Sequence, residues 1–223
     1  MNTKTLVALS VGTMAMLILI LILMLRYKVK AWKSIPVAVI LTVTGTLSTY
    51  VWFFVEASWW GGRSYYGAVF LVPVAFLIIA KIMSVPYKEL MDFCAPAECV
   101  MLAIMKYQCF IDGCCGGMIL NVAENGDITY FPSQIVELCN ALLLMIVLMI
   151  LAFQSKHRGK IYGWYLLLYG VSRFILNWFR ESNEPLIMGL PDGNVWSLLA
   201  IFIGLLWLFD LRITIVKANK IES

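Results

Sequence analysis

Residues 135–153 read IVELCNALLLMIVLMILAF. Glu137 is the one charged side chain in this run, which is long enough to cross a bilayer as a helix, since a transmembrane helix takes roughly 20 residues. A strand of a membrane barrel would alternate apolar and polar residues, whereas this run is apolar on every side. The segment therefore predicts a membrane-spanning helix that carries a carboxyl group inside it.

Working outward in both directions, further apolar runs of similar length occupy residues 6–25, 35–55, 65–83, 90–111, 161–179 and 195–215. The run 90–111 is the least apolar of them because it holds Asp92, Pro96, Glu98 and Lys106. We interpret it as a helix packed inside a bundle, with a re-entrant segment as the alternative. The pattern predicts an all-α, polytopic bundle of about seven transmembrane helices, forming a single transmembrane domain over residues 1–223.

The composition excludes the common classes of water-soluble protein. Hydrophobic residues make up 62% of the chain and charged residues 13%, whereas soluble domains are about 45–50% apolar and about 25% charged. Disordered and collagen-like chains are excluded by the same values. The run 6–25 is too long for the apolar part of a signal peptide, and its basic cluster follows it, so we expect it to stay in the mature chain.

Basic residues predict the orientation in the membrane. They concentrate in alternate loops and at the C-terminal end: Arg26, Lys28, Lys30, Lys33, Lys81, Lys88, Lys156, Arg158, Lys160, Arg212, Lys217 and Lys220. The other side would carry only Lys4, Arg63 and Arg180. By the positive-inside rule the N-terminus faces out and the C-terminus lies in the cytoplasm. The net charge of +4 is then a topological bias, and no nucleic-acid binding is expected.

Two bases lie inside predicted spans, where a charge costs about 2.5–3.5 kcal/mol near the bilayer centre. They are Lys106 and Arg173, and Glu98, Glu137 and Asp112 are the candidate counter-charges. Snorkelling to the headgroups or a structural ion pair is the simpler interpretation of Lys106. Tyr169, Arg173 and Arg180 follow one stripe of one predicted helix. Two guanidinium groups on one stripe are typical of a phosphate-binding site.

A glycine- and cysteine-rich run, KYQCFIDGCCGG, follows at residues 106–117. It predicts a turn after a helix end, and its bare amides could also approach a ligand. Cys109, Cys114 and Cys115 belong to it, and Cys114 and Cys115 are too close in sequence to pair with each other. A disulfide to Cys109 or Cys139, or a nucleophilic thiol beside Lys106, is open. No P-loop, dinucleotide fingerprint or zinc-site spacing is present, so no metal or cofactor is expected.

Five motifs in order over residues 61–212 resemble the prolipoprotein diacylglyceryl transferase family of bacteria. Residues 62–67 (GRSYYG) stand at its Gly-x-Ser-x-His-Gly motif, and 92–96 (DFCAP) at its Asp-x-x-Ala-Pro motif. Residues 106–113 (KYQCFIDG) lie over the signature Gly-Arg-x-Gly-Asn-Phe-x-Asn-Gly. Residues 131–137 (FPSQIVE) match His-Pro-Ser-Gln-x-Tyr-Glu, and 169–180 (YGVSRFILNWFR) match Tyr-Gly-x-x-Arg-Phe-x-x-Glu-x-x-Arg.

The resemblance implies a transferase of the bacterial plasma (inner) membrane. Its reaction moves diacylglyceryl from phosphatidylglycerol, or another phospholipid, to the lipobox cysteine thiol of a prolipoprotein, without a cofactor. Lys106 and Arg173 would bind the phosphate, Tyr66 would stand where the family has His, and Glu137 would orient a base. The implied substrate-binding residues are Arg180, Tyr169, Ser64, Gly67, Asp112, Gly113, Gly117, Asn177 and Asn194.

The chain departs from the family pattern at five of these positions. Tyr66 replaces His, Lys106 replaces Arg, Cys109 replaces Asn, and Cys114 and Asn177 each replace Glu. Two other functions therefore remain open at this point. One is a membrane thiol redox protein that uses Cys109, Cys114 or Cys115, and the other is a lipid-binding homologue without catalytic activity.

Overall fold

The computed structural model describes residues 3–58, 60, 62–122, 127–180, 186–187 and 189–209. Within these residues the chain forms seven α-helices: α1 (Thr3–Arg26), α2 (Ser34–Ala57), α3 (Tyr66–Met83), α4 (Tyr87–Asp112), α5 (Ser133–Ala152), α6 (Ile161–Asn177) and α7 (Asp192–Leu208). Two antiparallel hairpins pair β1 (Ile119–Val122) with β2 (Ile128–Tyr130), and β3 (Leu186–Ile187) with β4 (Leu190–Pro191). The predicted helical fold is confirmed.

In the part of the chain that the structure describes, four helical segments are long and apolar enough to cross a membrane: Ala31–Ala57, Tyr66–Met83, Tyr87–Asp112 and Ser133–Ala152. The outward faces of the helices are apolar. On α1, for example, Val7, Val11, Met14 and Ile18 are at least half exposed and follow one helical stripe. Such a surface fits hydrocarbon and would be unfavourable in water.

Helix α4 lies at the centre of the bundle, where it contacts α1, α3, α5 and α6. It is one unbroken helix in spite of Pro96, which decides against the re-entrant alternative. Every residue from Leu90 to Val100 is buried, so its polar side chains face neighbouring helices. Shielding from lipid explains how a helix of low hydropathy sits inside a membrane protein.

Asp92 ties α4 to the start of α6. Its carboxylate accepts hydrogen bonds from the backbone amides of Ile161 at 2.9 Å and Gly159 at 2.5 Å, and from the Tyr27 hydroxyl at 3.0 Å. Amides at a helix N-terminus lack partners within the helix, and the helix dipole favours a negative charge there. One buried carboxylate therefore joins three segments of the chain.

Basic side chains from the α1–α2 and α5–α6 connections gather at this same end of the bundle, where they meet the connection between α3 and α4. Arg158 pairs with Glu89 at 2.9 Å, Lys33 donates to the carbonyl of Met83, and Arg26 donates to the carbonyl of Phe153. The loops that the charge count places on one side of the membrane thus lie on one side of the protein.

The structure corrects the predicted loops and the end of one span. Helix α6 ends at Asn177, so Arg180 does not lie on the helical stripe of Tyr169 and Arg173. After Asn177 the chain leaves the helical path. Arg180 forms a β-bridge with Gly117, and the backbone amide of Met118 donates to the carbonyl of Phe179. The hairpins were not predicted, although the Asn-Gly pair at 125–126 is a hairpin signal in the sequence.

We expect Asp92→Ala to lower the free energy of unfolding by about 3 kcal/mol, because it leaves buried donors without an acceptor. Glu89→Ala removes only a partly exposed ion pair and should cost less than about 1 kcal/mol. Unfolding of the purified variants in detergent measures both. Equal losses for the two variants would show that Asp92 does not hold α4 to α6.

Candidate functional site

A cavity of about 610 Å³ opens at the opposite end of the bundle, where α2, α4 and α6 end and α3, α5 and α7 begin. It brings together most of the residues that the sequence singled out: Ser64, Tyr66, Lys106, Cys109, Cys114, Cys115, Glu137, Tyr169, Arg173 and Arg180. These residues come from four stretches of the chain, at positions 64–66, 106–115, 137 and 169–180. The cavity is therefore the candidate site.

Glu137 is the centre of a buried charge cluster in this cavity. Its Oε2 atom lies 2.6 Å from Lys106 Nζ and 2.6 Å from Arg173 Nη1, and its Oε1 atom lies 3.9 Å from Arg180 Nε. Lys106 and Glu137 are each 5% exposed and Arg173 is 9% exposed. Of the three candidate counter-charges, Glu137 is thus the one that Lys106 contacts. Three cations surround one carboxylate, which leaves this cluster with an excess of positive charge.

The helical spacing of buried positions explains why the side chains of Glu137 and Arg173 face the core. On α5 the buried positions are Ser133, Glu137, Ala141, Leu144, Leu148 and Ala152, which follow one stripe. On α6 the buried stripe runs through Tyr162, Tyr165, Tyr169 and Arg173. Glu137 and Arg173 therefore face the core at the ends of their helices, near the boundary where a charge is least costly.

Tyr66 lines the cavity, but its hydroxyl is engaged with α7. It donates to the carbonyl of Gly193 at 2.6 Å and lies 2.8 Å from Ser197 Oγ. The ring of Tyr66 also contacts Tyr169 edge to face at 6.1 Å between centroids. These contacts join α3, α6 and α7 and shape the wall of the cavity, so they give Tyr66 an evident structural role.

Cys109, Cys114 and Cys115 form a cluster at the edge of the cavity, with all three sulfur atoms within 4.8 Å of one another. All six cysteines are free thiols, and Cys139 on α5 is exposed. A hydrogen bond from Cys109, together with the positive charges of Lys106 and Arg180, lowers the pKa of the Cys115 thiol. Of the possible disulfide partners that the sequence leaves open, Cys109 lies in this cluster and Cys139 does not.

Six of the predicted substrate-binding residues do not line the cavity: Gly67, Asp112, Gly113, Gly117, Asn177 and Asn194. Gly67 lets α3 approach the backbone of α2, since a Cβ atom there would overlap the carbonyl of Ser48. Gly113 ends α4 with a φ of 66°, a conformation that suits glycine. The family motifs indicated both of these glycines, whereas a close approach of two helices explains Gly67 and a left-handed backbone conformation explains Gly113.

The structure also shows where the other four residues outside the cavity lie. Gly117 bridges to Arg180, and Asp112 accepts from Gln108 Nε2 at 2.8 Å. Asn177 is the last residue of α6 and is buried. Asn194 is fully buried, and its amide atoms make no hydrogen bond to a described residue.

Four polar residues or backbone groups of the cavity were not predicted: Glu56, Arg63, Asp192 and Gly193. Arg63 belongs to the 62–67 motif, which could have indicated it. Glu56 lies at the end of α2 and accepts from Trp52 Nε1 at 2.8 Å. Asp192 begins α7 and accepts from the amide of Gly193 at 2.6 Å. Their positions depend on how the helix ends meet, which local sequence does not reveal.

Comparison with known proteins gives one consistent result. The family model described as prolipoprotein diacylglyceryl transferase matches residues 7–209. Proteins named phosphatidylglycerol--prolipoprotein diacylglyceryl transferase are similar to the chain. The one from Idiomarina loihiensis is 33% identical over 72% of this chain and 61% of its own length. The one from Polaromonas naphthalenivorans is 30% identical over 69% and 61%, and that from Geobacter sulfurreducens 29% over 61% and 55%. The chain spans little more than half the length of these relatives.

We expect Glu137→Gln to lower the free energy of unfolding by about 3–5 kcal/mol, because it leaves Lys106 and Arg173 buried without a counter-charge. Lys106→Met should cost less, since Glu137 keeps its contact with Arg173. Adding Lys106→Met to Glu137→Gln should recover part of the loss, which unfolding in detergent can measure. Strictly additive effects would contradict the cluster.

Proposed function

Because the chain belongs to the prolipoprotein diacylglyceryl transferase family, we propose that it is a membrane-embedded lipid transferase. It moves the diacylglyceryl group of phosphatidylglycerol to the lipobox cysteine thiol of a prolipoprotein. The names of its relatives identify these two substrates for those proteins. For this chain the proposal is supported by the family and by the charge cluster in the cavity.

The chemistry sets two demands on the site. The sulfur of the acceptor attacks the glyceryl carbon of the lipid, the bond from that carbon to the phosphate oxygen breaks, and glycerol phosphate leaves with the electron pair. Negative charge therefore grows on the leaving phosphate, and cations fixed in a site of low dielectric stabilise it. The thiol must also lose its proton, which the departing glycerol phosphate can take up, since a phosphate monoester has a second pKa of about 6.

The observation that carries the proposal is the arrangement of Lys106, Arg173 and Arg180 around the single carboxylate of Glu137. In the free site the carboxylate holds the two buried cations in place. Four cations and three carboxylates line the cavity, the others being Arg63, Glu56 and Asp192. The net positive charge attracts a phosphodiester, which can accept hydrogen bonds from the cations. Lys106 provides a point charge where arginine would provide a planar fork. Arg173 is thus the residue suited to bidentate phosphate binding.

The proton acceptor is not a histidine in this proposal. His157 is the single histidine of the chain, and it lies in the loop between α5 and α6, at the end away from the cavity. Tyr66 already donates its hydroxyl proton to Gly193. Glu137 is ion-paired, so it orients Lys106 and Arg173 in this proposal.

We also propose that the protein lies in the bacterial plasma membrane with seven spans, its N-terminus outside and its C-terminus in the cytoplasm. The grouping of Arg26, Lys33 and Arg158 at one end of the bundle supports the orientation. The cavity, at the other end, then opens toward the outer leaflet, where a secreted acceptor is present. The thiol redox and lipid-binding alternatives are not favoured by the family match.

We expect purified protein to transfer label from phosphatidylglycerol carrying a radioactive diacylglyceryl group to a lipobox peptide. Arg173→Ala and Lys106→Ala should each lower the rate by about 100-fold or more, as loss of one charge-stabilising donor does in other enzymes. Lys106→Arg should retain transfer. Lys30→Ala, a cation at the opposite end, is the matched control. Unchanged transfer by Arg173→Ala would refute the assignment of this site.

We expect a membrane-impermeant maleimide to label Cys114 from outside in intact spheroplasts, because this exposed thiol lies at the cavity end. The test uses a variant that keeps Cys114 and has serine at the other five cysteines. Its counterpart has serine at all six cysteines and carries His157→Cys, which should react only after the spheroplasts are lysed. The reverse pattern would contradict the proposed orientation.

A further inference from the structure

Three thiols that the sequence does not space as a metal site meet in the folded chain. Cys109 lies on the last turn of α4, whereas Cys114 and Cys115 follow the helix end at Gly113. Each sulfur lies within 4.8 Å of the other two. Tetrahedral zinc with bonds of about 2.3 Å to sulfur requires sulfur atoms roughly 3.8 Å apart, so the cluster is close to the size such an ion needs.

The backbone holds the two loop cysteines in place. The amide of Cys114 bonds to the carbonyl of Cys109 at 3.0 Å. Side chains from the start of α5 fix the carbonyls: Ser133 Oγ donates to Cys115 at 2.7 Å, and Gln134 Nε2 donates to Cys114 at 2.8 Å. Cys115 has a φ of 59°, which is uncommon for a residue with a side chain. The meeting of the three sulfur atoms thus involves an uncommon backbone conformation at Cys115. The hydrogen bonds from Ser133 and Gln134 support this loop.

We propose that Cys109, Cys114 and Cys115 bind one thiophilic divalent cation of the zinc class, with a fourth coordination position open to the cavity. On binding, the thiols release their protons to solvent. Three thiolates and a divalent cation leave one negative charge. Lys106 and Arg180 line the same cavity and can balance it. Cys114 and Cys115 are exposed and Cys109 is half-buried, so an ion can enter from solvent.

The open position suits a thiol, and this step rests on the proposed transferase function. Zinc sites with three protein ligands keep the fourth position for water or substrate, and a thiol bound to the metal is deprotonated. The acceptor cysteine would bind there as a thiolate and would release its proton to solvent. Its sulfur then forms the bond to the glyceryl carbon as the carbon–oxygen bond to phosphate breaks. The resulting thioether is neutral and a weaker ligand, so it leaves, and the oxidation state of the metal does not change.

The test measures metal binding by full-length protein that is purified in detergent and kept reduced. We expect one Co²⁺ or Zn²⁺ ion per chain, with the near-ultraviolet charge-transfer absorption of cobalt–thiolate bonds. Cys109→Ser and Cys115→Ser should each weaken binding by more than about 100-fold, since loss of an outer-sphere partner alone costs about 10–100-fold. Cys139→Ser, an exposed cysteine outside the cluster, should bind as the parent does. Melting curves confirm that each variant is folded.

A second measurement examines the fourth position without lipid or turnover. Adding a lipobox peptide to the cobalt-loaded protein should change its visible spectrum and raise the charge-transfer absorption, whereas the peptide with serine in place of cysteine should not. A failed transfer assay therefore leaves this result intact. The metal site is refuted if the reduced protein retains no ion, or if Cys139→Ser loses binding equally. The metal site is also refuted if the parent protein, with its free thiols alkylated, contains a disulfide between Cys109 and either Cys114 or Cys115. Identical spectra with the two peptides would refute the open position for a thiol.

Discussion

The carboxylate of Glu137 offsets the free-energy cost of burying the charges of Lys106 and Arg173. Its contacts with Lys106 and Arg173, both at 2.6 Å, join α4, α5 and α6 at the end of the bundle that holds the cavity. Two cations at such close quarters in a medium of low dielectric would repel each other strongly without it. The same carboxylate keeps both cations inside the cavity, where they can meet an anionic group. Structural cohesion and the proposed chemistry therefore depend on one side chain.

Helix α4 carries buried charges toward both ends and so sets the register of its neighbours. Asp92 receives the first amides of α6 at one end, and Lys106 meets Glu137 of α5 near the other. A buried group left unpartnered is costly, so sliding α4 along either neighbour would break contacts at both places. Hydrophobic contact alone specifies such a register weakly, because lipid and leucine side chains are similarly apolar. The polar pairs thus fix the register of α4 against α5 and α6, which apolar contacts alone would specify weakly.

Four of the five departures from the family pattern line the cavity, and the fifth, Asn177, does not. Lys106, Cys109 and Cys114, which replace arginine, asparagine and glutamate of the family motifs, all line it, as does Tyr66 in place of histidine. The cations are retained, whereas the histidine and two acids of the motifs are replaced, one of them by Cys114 and the other by Asn177. The thiols gained lie beside the same cations. Under the proposed function, a change in how the acceptor thiol is activated, with phosphate binding retained, would account for these substitutions together.

The amino-acid sequence by itself determined the helical class, the apolar runs, the positions of the buried charges and the family motifs. These follow from local properties, since a run of apolar residues must form backbone hydrogen bonds within itself in lipid. Tertiary structure alone decided that Glu137, rather than Glu98 or Asp112, holds Lys106, and that Arg180 reaches the cluster from beyond the end of α6. It also decided that three thiols converge and that Gly67, Asp112 and Asn194 lie outside the cavity. Such pairings depend on where helix ends meet, and distances between segments far apart in the chain are not encoded in any one of them.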